Sequence, residues 1–594
     1  MQISKNPIAD IAYKILAIGT VIYYLWLTFA GLLPNLVTRP LHLMLAIPWI
    51  YFLADSSQSK FYRYSGYILG VLGMIFCGYI IINNRMIDNQ YGSLYGGFQH
   101  FMAMGLIIVV LEMARRKIKA ALPIVACLAL AYAAFGIYIP GNLGHQIPFE
   151  STLGDLTVTE AGLWGMLTGV SVTTISIFII LGAAISSGRG GDAFMALSMR
   201  LAGRYRAGAA KVSVLSSAFF GSISGSASAN VASTGTITIP SMKRQGYPPE
   251  LAAAVEATAS TGGQIMPPLM GAGAFVMVEL LGSNYQFIMQ AAIIPAILFF
   301  VACWVGVDFF ARRYNLGAVN ADNIPNWYSV FKLLPFFLIP FGVLLTILFG
   351  TTKTAQYAAA VASLFAFALL LHNGEKFDLK GFFPRFLTTC VSAAQQIAMM
   401  AAIIICVGIV IGILNKLGLG VKIASMILSL SGGYLAVAMV LTAITCLILG
   451  MEVPTTAAYV ICIAVAEQTL LELGMPQLQS HMFVYWYALL SCITPPVCGT
   501  VFIAATMANV GWVKVASIAM RLGLGLYLVP LSFVANPYLL SFGQTPFLSI
   551  VAGIKVGLGI TALSYVLTGI ANKWWKILFA LIAGIALLFI PMQF

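Results

Sequence analysis

Apolar runs close to the ~20 residues that an α-helix needs to cross a hydrocarbon core recur along this chain, at residues 11–33, 67–82, 98–111, 163–185, 287–310 and 336–349. That recurrence leaves few folds open. No water completes a backbone N–H or C=O inside lipid, so each crossing segment must close its own hydrogen bonds as a helix. Only 8% of residues are charged and 60% are apolar, whereas soluble domains carry roughly 25% charged residues. The chain therefore reads as an all-α polytopic membrane protein, with the first apolar run as its first span rather than a cleaved leader. The net charge of +13 sits in short loops between spans, where topology accounts for it without a nucleic-acid partner. Most of the nine cysteines fall in or beside apolar runs and read as small buried hydrophobes. The five histidines are scattered, against a metal cluster.

Residues 221–238, GSISGSASANVASTGTIT, break the apolar pattern. Nine of these eighteen side chains carry a hydroxyl or amide, three residues are glycine and none is charged. Unsatisfied polar groups in hydrocarbon cost several kcal/mol each, so such a stretch belongs against protein or a watery cavity. Close helix packing through small residues is the bland alternative. A cytoplasmic N-terminus places thirteen of the fifteen lysines and arginines up to Lys211 inside, leaving Arg39 and Arg85 outside. Lys211 and the pair Lys243/Arg244 then bracket the polar stretch from one side. Both ends being basic predicts a re-entrant hairpin of two half-helices rather than a crossing.

The pattern occurs twice. FFGSISGSASAN (219–230) matches ILGMEVPTTAAY (448–459), with Gly221 and Gly450 separated by 229 positions. STGGQIMPPLMG (260–271) matches LSCITPPVCG (490–499), with Pro267/Pro268 and Pro495/Pro496 separated by 228. Interfacial stretches at 192–205 and 416–430 precede the two hairpins. Counting crossings, with spans near 332–350, 355–372 and 388–413, makes the second hairpin enter from the opposite face. Inverted repeats with paired broken helices point to a secondary transporter with a site near the midplane.

Proline removes an N–H and glycine permits sharp turns, so carbonyls freed at 261–264 and 492–494 are expected beside the hairpin tips. Hydroxyl and carbonyl oxygens suit a small hard cation, on the logic of calcium's oxygen cages. Half-helix N-termini favour an anion. A first sodium site is expected at Ser226, Ser228, Asn230, Thr261 and Gly262, and a second at Gly450, Pro454, Thr455, Thr456 and Thr494. Ser224, Gln264, Pro267, Pro268, Pro495 and Pro496 are expected to line a substrate cavity. Of the few acids in apolar surroundings, Glu452 and Glu256 are candidates for binding the coupling ion or carrying a proton. No Gly-Lys dipeptide occurs and hence no GxxxxGK[ST] phosphate loop, against an ATP-driven pump. A membrane enzyme would gather acid/base or metal groups at one face, whereas these clusters are uncharged and duplicated. A passive channel and a receptor-independent or proton-coupled carrier stay open.

These motifs resemble the TRAP (tripartite ATP-independent periplasmic) transporter permeases. GSISGSASANVASTGTITIPSMKRQGY with ATASTGGQIMPP is similar to the first hairpin and broken helix of their large membrane subunit. GMEVPTTAAYV with SCITPPV is similar to the second, and PTTAAY resembles the TAXI subgroup. The resemblance implies a fused chain: a small-subunit-like four-helix scaffold at 1–117 and a connecting span and loop at 118–159. The large-subunit-like transport domain would follow at 160–540, with repeats at 160–313 and 388–540, and a two-helix extension at 541–594. It further implies a bacterial inner-membrane symporter, not an enzyme, with elevator movement. It would import an organic anion, usually a carboxylate, delivered by a periplasmic TAXI-type binding protein. Na⁺ would be the coupling ion, with sodium ligands near 226–230 and 450–456; Glu452 at the second tip keeps H⁺ open.

Overall fold

The computed structural model describes residues 7–31, 33–53, 59–118, 120–450, 453–496, 498–570 and 573–592. Among these the regular structure is helical, and the one isolated β-bridge joins His372 to Phe377. Among the described residues, eight helices are long and apolar enough to cross a membrane, or up to ten if two bent pairs each count as one span. This is the all-α polytopic architecture that the composition requires. The chain divides into two compact units, one of Met1–Ser187, Val343–Gly433 and Val460–Thr469, the other of Gly188–Gly342, Tyr434–Tyr459 and Leu470–Phe594.

The first unit holds the helices Pro7–Ala30, Asn35–Ile47, Lys60–Ile82, Gly96–Ile118 and Ala121–Phe135 and the 39-residue helix Leu379–Leu417. At about 1.5 Å per residue the last is nearly twice the ~30 Å of a hydrocarbon core. It overruns the span read at 388–413 at both ends, for identifiable reasons. The Asp378 carboxylate accepts the Gly381 amide at 2.9 Å as an N-cap, and Gly418 ends the helix in the left-handed region at φ +61°. Several buried polar groups in this unit are satisfied by its own side chains. His42 bonds Tyr24 Oη at 2.5 Å and Ser171 Oγ at 2.9 Å. Glu112 holds Arg115 and Arg116 from within the same helix at 2.6 and 2.8 Å.

The second unit carries both polar tips. Its hairpin consists of α1 (Gly208–Ser224) and α2 (Ala227–Arg244), followed by α3 (Pro249–Gly262). Gly225 at φ +60° ends α1, a conformation costly for a residue with a Cβ. The Ser226 hydroxyl then caps α2 by accepting the Ala229 amide at 3.4 Å. Ser217 lies opposite Thr234, with their hydroxyls 3.4 Å apart, and Ser213 and Thr238 reach one common carboxylate oxygen. The two helices are therefore antiparallel, as a hairpin requires. At about 1.5 Å per residue, the 14 residues of α3 fall well short of a hydrocarbon core. A 3₁₀ turn at Gly263–Ile265 and a cis Pro267–Pro268 bond follow before helix resumes at Ala272–Leu280.

The second repeat follows the same plan with α4 (Leu435–Leu449), α5 (Thr455–Glu472), α6 (Gln477–Leu490), a cis Pro495–Pro496 bond and α7 (Gly499–Ala508). Residues Val460–Thr469 of α5 belong to the first unit. In both repeats the residue before the tip packs against the break of the following helix. A Cβ on Gly221 would run into the Gly263 backbone, and one on Gly450 would sit 2.8 Å from the Ser491 side chain. Gly221→Val is thus expected to lower the thermal unfolding midpoint of the purified protein by several degrees, whereas Ser228→Ala leaves it in place.

Candidate functional site

Three helices present polar residues on one face at helical spacing: Ser213 and Ser217 on α1, Asn230, Thr234 and Thr238 on α2, and Glu256 and Ser260 on α3. All seven are buried, and Glu256 is at 0% exposure. The Glu256 carboxylate accepts hydroxyls only. Ser217 donates to Oε1 at 3.2 Å and Ser260 at 3.0 Å, with Thr234 on the same oxygen. Ser213 and Thr238 donate to Oε2 at 2.7 and 2.5 Å. A carboxylate offers about four lone-pair directions, so five donors fill it.

Of the residues expected at a first sodium site, Asn230, Thr261 and Gly262 are buried. The Asn230 amide donates to Ser217 O at 2.8 Å and to Ser260 O at 3.4 Å, tying α2 to both neighbours. Gly262 is a glycine because a Cβ would enter the Phe299 ring. Ser226 stands at the tip as a cap, and Ser228 is exposed on α2. Two positions apart on a helix point to nearly opposite sides, so Ser228 and Asn230 do not face one centre. Ser224 donates to Ser226 O at 3.4 Å.

At the second tip, the Thr455 hydroxyl lies 3.7 Å from Cys492 Sγ. Thr456 is buried and Pro454 half-buried. Thr494 donates to Leu490 O at 2.7 Å and its hydroxyl meets Tyr527 Oη at 2.7 Å. Glu452 lies outside the described residues. Pro267, Pro268 and Pro495 are half-buried and Pro496 exposed, while Gln264 is buried.

The two repeats meet within this unit. The Thr261 and Thr500 hydroxyls are 3.3 Å apart. Each also donates to a main-chain carbonyl, Thr261 to Ala257 O at 2.8 Å and Thr500 to Cys492 O at 2.6 Å. Tyr485 on α6 donates to Gln264 O at 3.1 Å, and the Gly271 amide reaches the same oxygen at 2.7 Å. The carbonyls expected free at Gln264 and Cys492 therefore already have protein donors, with one lone pair each to spare at most. Sequence reasoning missed Ser213, Ser217, Tyr485 and Thr500. Only the first two left a signal: Ser213, Ser217 and Gly221 continue the hairpin's four-residue spacing upstream of the stretch first noticed.

A polytopic helical protein whose two broken-helix repeats meet at uncharged oxygens belongs to the class of membrane permeases. Comparison with known proteins supplies the family. Residues 106–548 match the model of the tripartite ATP-independent periplasmic transporter, DctM component, and the chain belongs to that family. It is 23% identical over 446 residues to the isethionate TRAP transporter permease protein DctMQ of Oleidesulfovibrio alaskensis, across 74% of this chain and 64% of that one. It is 26% identical over 196 residues to the C4-dicarboxylate TRAP transporter large permease protein DctM of Pseudomonas aeruginosa, across 33% and 45%. An uncharacterized protein, y4mL, of Sinorhizobium fredii is 24% identical over 361 residues, across 60% and 83%. The chain thus spans most of y4mL but less than two thirds of either named permease. It is a TRAP transporter permease of the membrane, not an enzyme.

Because Asn230 serves two buried carbonyls, Asn230→Ala should cost about 1–3 kcal/mol of stability, the usual penalty for buried groups left unpaired. Ser228→Ala, which removes an exposed hydroxyl, should stay within about 0.5 kcal/mol. Chemical unfolding in detergent compares the two, and equal effects would refute the geometry given for Asn230.

Proposed function

We propose that the chain imports an organic anion, a carboxylate, received from a periplasmic binding protein of the TAXI type and driven by a sodium gradient. The observation that carries the ion site is the pair Thr261 and Thr500. Each hydroxyl has a main-chain acceptor for its proton, which leaves oxygen lone pairs turned to one another 3.3 Å apart. Two neutral oxygens so arranged suit a hard cation taken up as cargo. Thr455 and Thr456 offer the same chemistry at the second tip, and Ser226 at the first. The named relatives act on isethionate and on C4-dicarboxylates, both small organic anions, which supports the substrate class. A cavity beside Ser224, Gln264 and the paired prolines would receive it near half-helix N-termini, whose dipoles favour negative charge.

Both tips belong to one compact unit, which supports an elevator movement in which they travel together. The bias of lysine and arginine supports a cytoplasmic N-terminus in the inner membrane.

In proteoliposomes containing the chain and its cognate binding protein, an inward sodium gradient should drive uptake of labelled succinate or another small carboxylate. Undiminished uptake without the binding protein would defeat the tripartite reading. Thr261→Val and Thr455→Ala should each raise the sodium concentration for half-maximal uptake by roughly tenfold, the equivalent of about 1.4 kcal/mol. Unchanged sodium dependence in both would refute the ligand assignment.

A further inference from the structure

The Glu256 carboxyl is wrapped differently from an ordinary structural acid. A buried carboxylate that stays ionised is normally held by arginine or lysine, and one that stays neutral is set in apolar walls. Glu256 has neither. Among the described residues its hydrogen-bond partners are the hydroxyls of Ser213, Ser217, Thr234, Thr238 and Ser260.

The charged groups on the helices packed around it are engaged elsewhere or, as Arg244 and Arg521 are, exposed. On α1, Lys211 pairs with Asp308 at 2.8 Å. On α2, Lys243 donates to Ala508 O at 3.1 Å, and Arg244 lies in the last turn, away from the tip. Helix Tyr285–Tyr314 carries Asp308 with Arg312 at 3.1 Å, and Arg313, which donates to Thr568 O. On helix Trp512–Leu522, Lys514 approaches Glu250 of α3 at 4.0 Å, and Arg521 lies in the last turn. On α6, His481 bonds Tyr459 at 2.7 Å and Tyr485 bonds Gln264 O. α7 carries no charge, and a Cβ on Gly235 of α2 would lie 3.2 Å from the Glu256 Cγ.

A shell of hydroxyls serves both forms of the acid, because each hydroxyl can donate or accept. Toward the carboxylate all five donate. When Oε1 takes a proton it becomes an O–H donor, and one hydroxyl must reverse. The alternatives are already in place. Thr234 has Asn230 O at 2.8 Å, Thr238 has Thr234 O at 3.0 Å, and Ser217 and Ser260 have each other at 3.4 Å. The new Oε1–H can donate to Thr234 Oγ1 while the Thr234 proton turns to Asn230 O. No helix has to move and no hydrogen bond is left unmade. A lysine or arginine could not make that exchange.

We propose that Glu256 is a proton-binding site of the transport cycle, taking up and releasing one proton within a hydroxyl cage that accommodates both states. The proposal rests on the transporter reading above, and it adds a proton to the sodium ions placed at the two tips.

Infrared difference spectroscopy of the full chain in lipid, stepped in pH with no substrate or sodium, reads the proton directly. A protonated-carboxyl C=O band should appear on acidification, shift in D₂O and vanish in Glu256→Gln. Glu256→Asp should keep a titrating band at a shifted position, and Glu375→Gln, in an exposed loop, should keep the wild-type band. The same titrating bands in the wild type and Glu256→Gln, or no titrating band in either, would overturn the proposal. In proteoliposomes, an inward pH gradient should stimulate sodium-driven uptake several-fold in the wild type and not in Glu256→Gln. Sodium-driven uptake that ignores the pH gradient in the wild type would overturn the proton site while leaving the transport reading intact. No uptake under any gradient, with the binding protein present and the infrared band titrating, would instead defeat the transport reading alone.

Discussion

Everything in the second unit depends on the cost of leaving a polar group unpaired where water cannot reach it. A buried group without its partner costs about 1–3 kcal/mol, and more when charged. The face shared by α1, α2 and α3 gathers a carboxylate, an amide and five hydroxyls, all buried. Separating any one helix would strand several of them at once, a penalty comparable to the 5–15 kcal/mol that holds an ordinary domain together. The three helices therefore form one body. The polarity that looks out of place in an apolar chain is what fastens its hairpin.

The second repeat solves the same geometric problem with different chemistry. Under the 229-residue offset that pairs Gly221 with Gly450, Asn230 corresponds to Tyr459; under the 228-residue offset that pairs the prolines and both ends of α3 and α6, Glu256 corresponds to the buried Val484, with Tyr485 beside it. Tyr485 reaches across to Gln264 O in the first repeat, and Tyr459 bonds His481. Where the first repeat has an ionisable acid among small hydroxyls, the second has aromatic side chains that fill volume and each spend one hydroxyl. The fold is doubled but the acid is not, so the repeats are not interchangeable in function. A buried acid is therefore not required by the packing plan that both repeats share.

How much of this could be read from residues alone follows from the range of each signal. Basic residues at both ends of 211–244 announced the hairpin, because charge cannot be hidden in lipid. The four-residue spacing of Asn230, Thr234 and Thr238 marks one helix face but went unread beside the ligand set Ser226, Ser228 and Asn230. The Pro-Pro pairs announced the breaks, since proline interrupts a helix by local covalent structure. The cage around Glu256 was not legible, because its donors come from three helices up to 43 positions away and serine carries no directional mark. Thr500 was still less so: its partner Thr261 is 239 positions distant, and only tertiary packing brings the two together. The ends of the helix Leu379–Leu417 were misjudged for a simpler reason. Hydropathy measures the lipid-crossing part, whereas Asp378 and Gly418 set where the backbone stops.

If the body that holds Glu256 binds an anionic cargo, as proposed, the acid has an electrostatic consequence that needs no moving part. Two unit charges roughly 10 Å apart at an effective dielectric constant of about 20 repel by about 1.7 kcal/mol, which is more than tenfold in affinity. At such a separation an ionised Glu256 would weaken the hold on an organic anion, and a protonated one would restore it. By linkage, the bound anion must favour the protonated acid by the same factor. The sodium proposed at the Thr261 and Thr500 oxygens would act in the same direction, adding positive charge where the cargo needs it. Cation and proton then work as two contributions to one quantity, the net charge felt by the anion, and a hydroxyl cage able to hold Glu256 in either state lets that quantity change while the three helices stay packed.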